Sequence, residues 1–161
     1  MKLYHGSNVS IGEIDLSRGR RGKDFGHGFY LSTDKQQALL MAERTVDREE
    51  FGTPTLTTYL FDESVLRNPN DIKVKIFDKY SVEWAEFIMM NRKNKSSVQA
   101  HDYDIVFGPI ANDKVGLQIS RYQLQYIPMD ELIRQLSFIR PTFQYFFGTA
   151  RAISLLTKID E

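Results

Sequence analysis

Asp24-Phe25-Gly26-His27-Gly28-Phe29-Tyr30-Leu31-Ser32-Thr33-Asp34 runs a glycine turn, an apolar strand and a helix start together in one short stretch. Gly26 and Gly28 flank His27, so the backbone on either side of an imidazole is free to take positive φ or to let another group approach closely. Phe29-Tyr30-Leu31 then reads as a short buried strand. Thr33, with Gln36 three residues on, forms a capping box ahead of the run Ala38-Leu39-Leu40-Met41-Ala42. The order is glycine loop, strand, helix, and Tyr30 stands just ahead of the helix-start N–H groups, where an anion is favoured. Taken alone, the G-x-G fits a plain tight turn. In combination, the stretch is built to hold a ligand, and the rest of the chain is expected to converge on it.

The chain has 161 residues, enough for one domain with a real core and too few for two ordinary ones. Apolar residues at 42% and charged residues at 26% are those of an ordinary folded domain, which argues against disorder or a coiled coil. Twenty-one basic residues balance twenty-one acidic ones, so nothing in the whole-molecule charge favours nucleic acid or an anionic membrane. Any such partner must be bound locally. With no cysteine, disulfides, thiolate metal sites and a cysteine nucleophile are excluded. His5, His27 and His101 lack the close spacing of a zinc site, which would have to recruit carboxylates. The chain opens Met-Lys-Leu-Tyr-His-Gly without an apolar signal core, and no stretch has the length of apolar sequence that a membrane helix needs. No membrane partner is expected, and the expected compartment is the cytoplasm.

Outward from the central stretch, Lys2 to Ser7 reads as a first strand ending at Gly6, which sets His5, Gly6 and Ser7 at a strand end, where sites are commonly built. A hydrogen-bonded turn histidine fits His5 equally well. Ser17 to Lys23 places four cations and two glycines directly before the central loop. That suits a phosphate, and equally a solvated loop. A helix is expected over roughly 34–48, a strand over 55–61, a turn at Asn68-Pro69-Asn70 and an alternating strand over 72–76. Ser81 caps a helix that carries Trp84, Ala85, Ile88 and Met89 inward. Asp102 to Pro109 is a strand with Asp104 at its entrance and Asp113 beyond its end; these aspartates read either as a strand-edge charge and a helix cap or as functional groups. Helices follow over 117–124 and 129–136.

Phe143-Gln144-Tyr145-Phe146-Phe147 is a buried strand with an amide in its middle. A buried amide must find partners, so Gln144 is either locked to backbone or aimed into a cavity. A helix over 150–156 closes the chain. Helices do not alternate regularly with strands, which argues against a doubly wound parallel sheet. The expected fold is α+β, with a split, mostly antiparallel sheet.

Together, His5-Gly6-Ser7, then Phe25-Gly26-x-Gly28-x-Tyr30 leading into a helix, then Phe143-Gln144-Tyr145 resemble the ADP-ribosyltransferase superfamily of the His-Tyr-Glu type, that of the poly-ADP-ribose polymerases and diphtheria-like toxins. The motifs stand in the family's order and span nearly the whole chain. The Asp102–Asp113 segment and the C-terminal Thr-Ala-Arg-Ala-Ile look more like a bacterial and phage-associated branch of that superfamily. The resemblance implies a single domain with NAD as substrate, no metal, and ADP-ribose passed to a protein or nucleic-acid acceptor or to water, in a toxin or effector. It implies that the Gly6 backbone holds the carboxamide, His5 a ribose hydroxyl and Tyr30 the nicotinamide ring, with Ser7, Phe25, Gly28 and Ser32 around them. His5, Tyr30 and Gln144 should then line one cleft. The family carries an acid where Gln144 stands. Gln144 can still orient the ribose 2′-hydroxyl but supplies no anion, and Glu131 or Asp104 is the candidate replacement. The other reading is an NAD or ADP-ribose binding module on the same fold, without turnover.

Overall fold

The computed structural model describes residues 1–67 and 71–159; the turn expected at Asn68-Pro69-Asn70 lies outside them. Seven strands form one sheet in the order β4-β5-β6-β2-β1-β3-β7. They are β1 (Lys2–Ser7), β2 (Phe29–Ser32), β3 (Thr55–Phe61), β4 (Val74–Ile76), β5 (Ile105–Pro109), β6 (Phe143–Phe147) and β7 (Leu156–Ile159). All neighbours are antiparallel except β4 and β5. The helices are α1 (Lys35–Glu49), α2 (Val82–Lys93), α3 (Asp113–Gln123), α4 (Met129–Leu136) and α5 (Ala150–Ile153), giving an α+β fold.

The junction between β2 and β1 is a single register pair, Tyr4↔Ser32, whereas β1 pairs with β3 from Lys2↔Leu60 to Ser7↔Thr55. The sheet is therefore split into β4-β5-β6-β2 and β1-β3-β7, and Gly6 and Ser7 extend past the last contact with β2.

The pleat sends alternate residues to two cores. Val106 and Phe146 join Phe25, Trp84, Ile88, Val115, Ile119, Leu132 and Leu136 on the face covered by α2, α3 and α4. Ile105, Tyr145 and Phe147 join Leu3, Leu31, Tyr59, Phe61 and Ala152 on the other. With both faces covered, β6 can be almost continuously apolar. The helix α1 crosses β1 so closely that a Cβ on Gly6 would overlap the Ala38 carbonyl. Among the described residues no helix is long and apolar enough to cross a membrane.

Several boundaries differ from the sequence reading. The helix expected over 150–156 stops at Ile153, because Leu156–Ile159 is recruited as an edge strand on Phe61–Thr58 of β3. The cap of α1 is Asp34, whose carboxylate accepts from the Gln36 and Gln37 N–H groups, and the Ser32 hydroxyl accepts from the Asp34 N–H. A negative charge already fills that helix start, so the anion subsite expected there is taken. The helix expected from Leu117 begins at Asp113, with Asn112 accepting from the Val115 N–H. The strands expected over 72–76 and 102–109 begin at Val74 and Ile105.

Candidate functional site

The central stretch is pinned at every step. The Asp24 carboxylate takes Arg92 Nε at 2.8 Å and the Ala111 N–H at 3.1 Å, tying the loop to α2 and to the segment after β5. The Phe25 carbonyl accepts from His101 Nε2 at 2.7 Å. Gly26 takes φ +101, a conformation that a side chain would strain. Gln99 clamps both the N–H and the carbonyl of His27. Gly28 serves a different need: a Cβ there would overlap the Phe146 ring and approach the Phe147 carbonyl to 2.8 Å. Tyr30 closes the loop on itself, donating to the Gly26 carbonyl at 2.6 Å and accepting from the Phe25 N–H at 3.0 Å.

Where β1 and β2 part, a cleft of about 1060 Å³ opens. His5, Gly6 and Ser7 of β1, Gly28 of the loop, Tyr30 and Ser32 of β2 and Gln144 of β6 all line it. The register Ser32↔Gln144 and Tyr30↔Phe146 sets Gln144 beside Ser32 and the Phe146 ring against Tyr30. Of the residues expected at the site, Phe25 is the exception. It is fully buried, stacked between Tyr30 and Phe77, and belongs to the core beneath the cleft, because the positive φ of Gly26 turns the chain after it. Its contribution is to support the Tyr30 ring.

His5 bridges the parting strands: Nδ1 donates to the Tyr30 carbonyl at 2.8 Å and the ring stacks on Phe29 at 4.3 Å between centroids. Burial pulls its pKa down to about 4, against the raising effect of that hydrogen bond, and the charge of Lys23 lowers it further. The imidazole is therefore neutral near pH 7. With its proton on Nδ1, Nε2 is an acceptor able to take a hydrogen bond from a hydroxyl. Burial likewise pushes the Tyr30 hydroxyl well above its usual value, with the Asp24 carboxylate adding to the effect, so Tyr30 stays a neutral ring.

Gln144 is half-buried, not enclosed in β6 as expected; its amide makes no hydrogen bond with any described residue and lines the cleft. The two carboxylates considered as replacements are committed elsewhere. Asp104 is buried at the far end of β6, accepting from the Lys73 N–H at 2.8 Å and the Thr149 hydroxyl at 2.6 Å. Glu131 is engaged by Arg134 and Gln135 on α4. Asp113 does line the cleft and pairs with Arg44 of α1 at 3.1 Å.

The cations of the loop after residue 17 (Arg18, Arg20, Arg21 and Lys23) line the same cleft. Lys23 goes deepest. Its ammonium lies 4.2 Å from the Tyr30 ring centroid, and burial lowers its pKa to about 8. Gln37, Met41, Arg44 and Arg48 of α1 were not anticipated as site residues. They recur at helical spacing on the face that α1 turns to the cleft, and three of the four are polar, so the signal in the sequence was a polar stripe of helical period beside Ala38 and Ala42.

The model of one protein family, DUF3990, described as a protein of unknown function, matches residues 1–157. No curated protein matches the chain.

Proposed function

We propose that this chain, which belongs to the DUF3990 family, is an NAD-dependent ADP-ribosyltransferase acting on a macromolecular acceptor, in the manner of a toxin or effector. The observation that carries the reading is the meeting of His5, Tyr30 and Gln144, from three strands, in one cleft where the Gln144 amide has no hydrogen-bond partner among the described residues. The cleft is large enough for a dinucleotide. In this reading the backbone of Gly6 holds the carboxamide. His5 Nε2 and the Gln144 amide oxygen accept from ribose hydroxyls, and the Tyr30 face receives the nicotinamide ring once Lys23 withdraws.

Breaking the C1′–nicotinamide bond sends its electron pair to the ring nitrogen, neutralising the pyridinium, and leaves an oxocarbenium-like ribose. An acceptor nucleophile, or water, then bonds to C1′ and gives up a proton. Gln144 aligns the 2′-hydroxyl through that change without supplying an anion, so orientation and exclusion of water must furnish most of the rate. Ser7 and Ser32 are polar lining. A cytoplasmic enzyme would find its NAD there.

A second reading, a binding module without turnover, is favoured by one observation: Asp104 and Glu131 are both spent on structural contacts. Incubation with NAD labelled in the adenylate, with and without cell lysate, tests the proposal. Label appearing on protein or nucleic acid supports the transferase. Tight NAD binding with neither labelled acceptor nor hydrolysis product supports the module, and binding of neither NAD nor ADP-ribose removes both.

A further inference from the structure

The cleft carries more positive charge than a dinucleotide requires. Arg44, Arg48 and Arg92 each face a carboxylate: Asp113, Glu49 and Asp24. Arg20, Arg21 and Lys95 line the same cleft, are exposed, and form no ion pair with a described residue. In a chain with no net charge, this excess is local. Glu13 and Asp15 stand on the same lining, but its eight cations outnumber its five carboxylates, and NAD, with a single diphosphate whose charge is partly offset by the pyridinium, does not balance the excess. On the same lining stands Phe51, 67% exposed, its carbonyl tied back to the Asn8 amide at 3.1 Å. An exposed ring on the same cleft lining as cations without a described ion-pair partner has the chemistry of a site that stacks a base while neutralising phosphates. An acidic peptide would use the cations and leave Phe51 without a role, and a duplex would offer no unstacked base.

We propose that the cleft also takes single-stranded nucleic acid, with phosphates on Arg20, Arg21 and Lys95 and a base on Phe51. Its assignment as the acceptor rests on the transferase reading above. In the transfer, a nucleophilic nitrogen or oxygen of the strand bonds to ribose C1′ as the bond to nicotinamide breaks. The bonding pair leaves with nicotinamide, and the acceptor's proton passes to water.

The test is fluorescence anisotropy, without NAD, using labelled mixed-sequence single strands of RNA and of DNA, the corresponding duplex, and an acidic peptide of matched charge. The single strands bind tightest, and their affinity falls as salt rises. The combined Arg20→Glu, Arg21→Glu and Lys95→Glu variant flattens the log–log salt slope by about 2. Phe51→Ala costs about tenfold at unchanged slope. A preference between the RNA and DNA arms identifies which sugar the site accepts. Peptide or duplex binding as tight as the single strands, or variants that bind like wild type, would overturn the proposal. Nicotinamide release is followed separately: its absence removes only the acceptor assignment, whereas intact release without strand binding removes only the nucleic-acid site.

Discussion

The Lys23 ammonium lies 4.2 Å from the centroid of the Tyr30 ring, on the aromatic face that the proposed reaction assigns to nicotinamide. The tyrosine face attracts cations, and both the lysine and the pyridinium of NAD are cationic. In the proposed reaction the side chain would compete with the ligand for that face. Lys23→Met should tighten NAD binding about threefold to tenfold by calorimetry. The pH dependence has a fixed sign. Burial brings the Lys23 pKa to about 8 from 10.5, so the competing charge is present below pH 8 and disappears above it. NAD affinity should rise between pH 7 and about 9 in wild type and stay flat in Lys23→Met, whereas a parallel rise in both proteins would dissociate Lys23 from the ligand site.

His5 gives a stability signature. Its folded pKa of about 4 lies below the ordinary 6.5, so the unfolded chain takes up the proton first. The stability contributed by the neutral, Tyr30-bonded ring is complete above pH 6.5 and is lost as pH falls toward 4. Burial also lowers the pKa of His101, whose Nε2 donates to the Phe25 carbonyl and whose Nδ1 accepts from the Tyr103 N–H, and the sign is the same. Urea midpoints measured down this range should fall more steeply for wild type than for His5→Gln; equal slopes would mean that His5 titrates normally.

Tyr30 has two separable jobs. Tyr30→Phe removes the hydroxyl that joins the Gly26 carbonyl to the Phe25 N–H and should cost about 1–3 kcal/mol of folding stability while the ring still accepts nicotinamide. Tyr30→Ala should in addition weaken NAD binding by about 1–3 kcal/mol. If Phe and Ala variants, both folded, lose NAD equally, the ring face is not the contact.

What the sequence made legible follows local physics. Strands β1, β3 and β6 and helix α4 are recoverable residue for residue, because Gly6, Thr55–Phe61, the aromatic run at 143–147 and Met129–Leu136 each carry their own punctuation. Gly26 and Gly28 were readable as a pair, although only the structure separates positive φ at one from close packing against Phe146 at the other. Strand β7 was not readable, since Leu155-Leu156-Thr157-Lys158 continues a helical pattern until β3 offers it a ladder. The burial of Phe25 and the seating of Lys23 on Tyr30 were likewise hidden, because each depends on how a loop folds back over distant strands. The cationic lining was visible as a run after Ser17, but its partners on α1 appear only when that helix is laid across β1.

Gln144 decides between the readings of the cleft. If glutamine is the working residue, aligning the ribose hydroxyl through a neutral acceptor, Gln144→Glu should change turnover little. A large gain on introducing glutamate would instead describe an enzyme limited by its missing anion. A loss of melting temperature in Gln144→Ala with NAD binding unchanged would make the amide structural, at odds with its lack of a described partner.

The most direct measurement is nicotinamide release from NAD by wild type and by Gln144→Ala, with NAD affinity taken on the same samples. Wild type should release nicotinamide, and Gln144→Ala should bind NAD to within a few-fold of wild type yet release none. An alanine variant as active as wild type, or a wild type that neither binds nor cleaves NAD, would contradict the account.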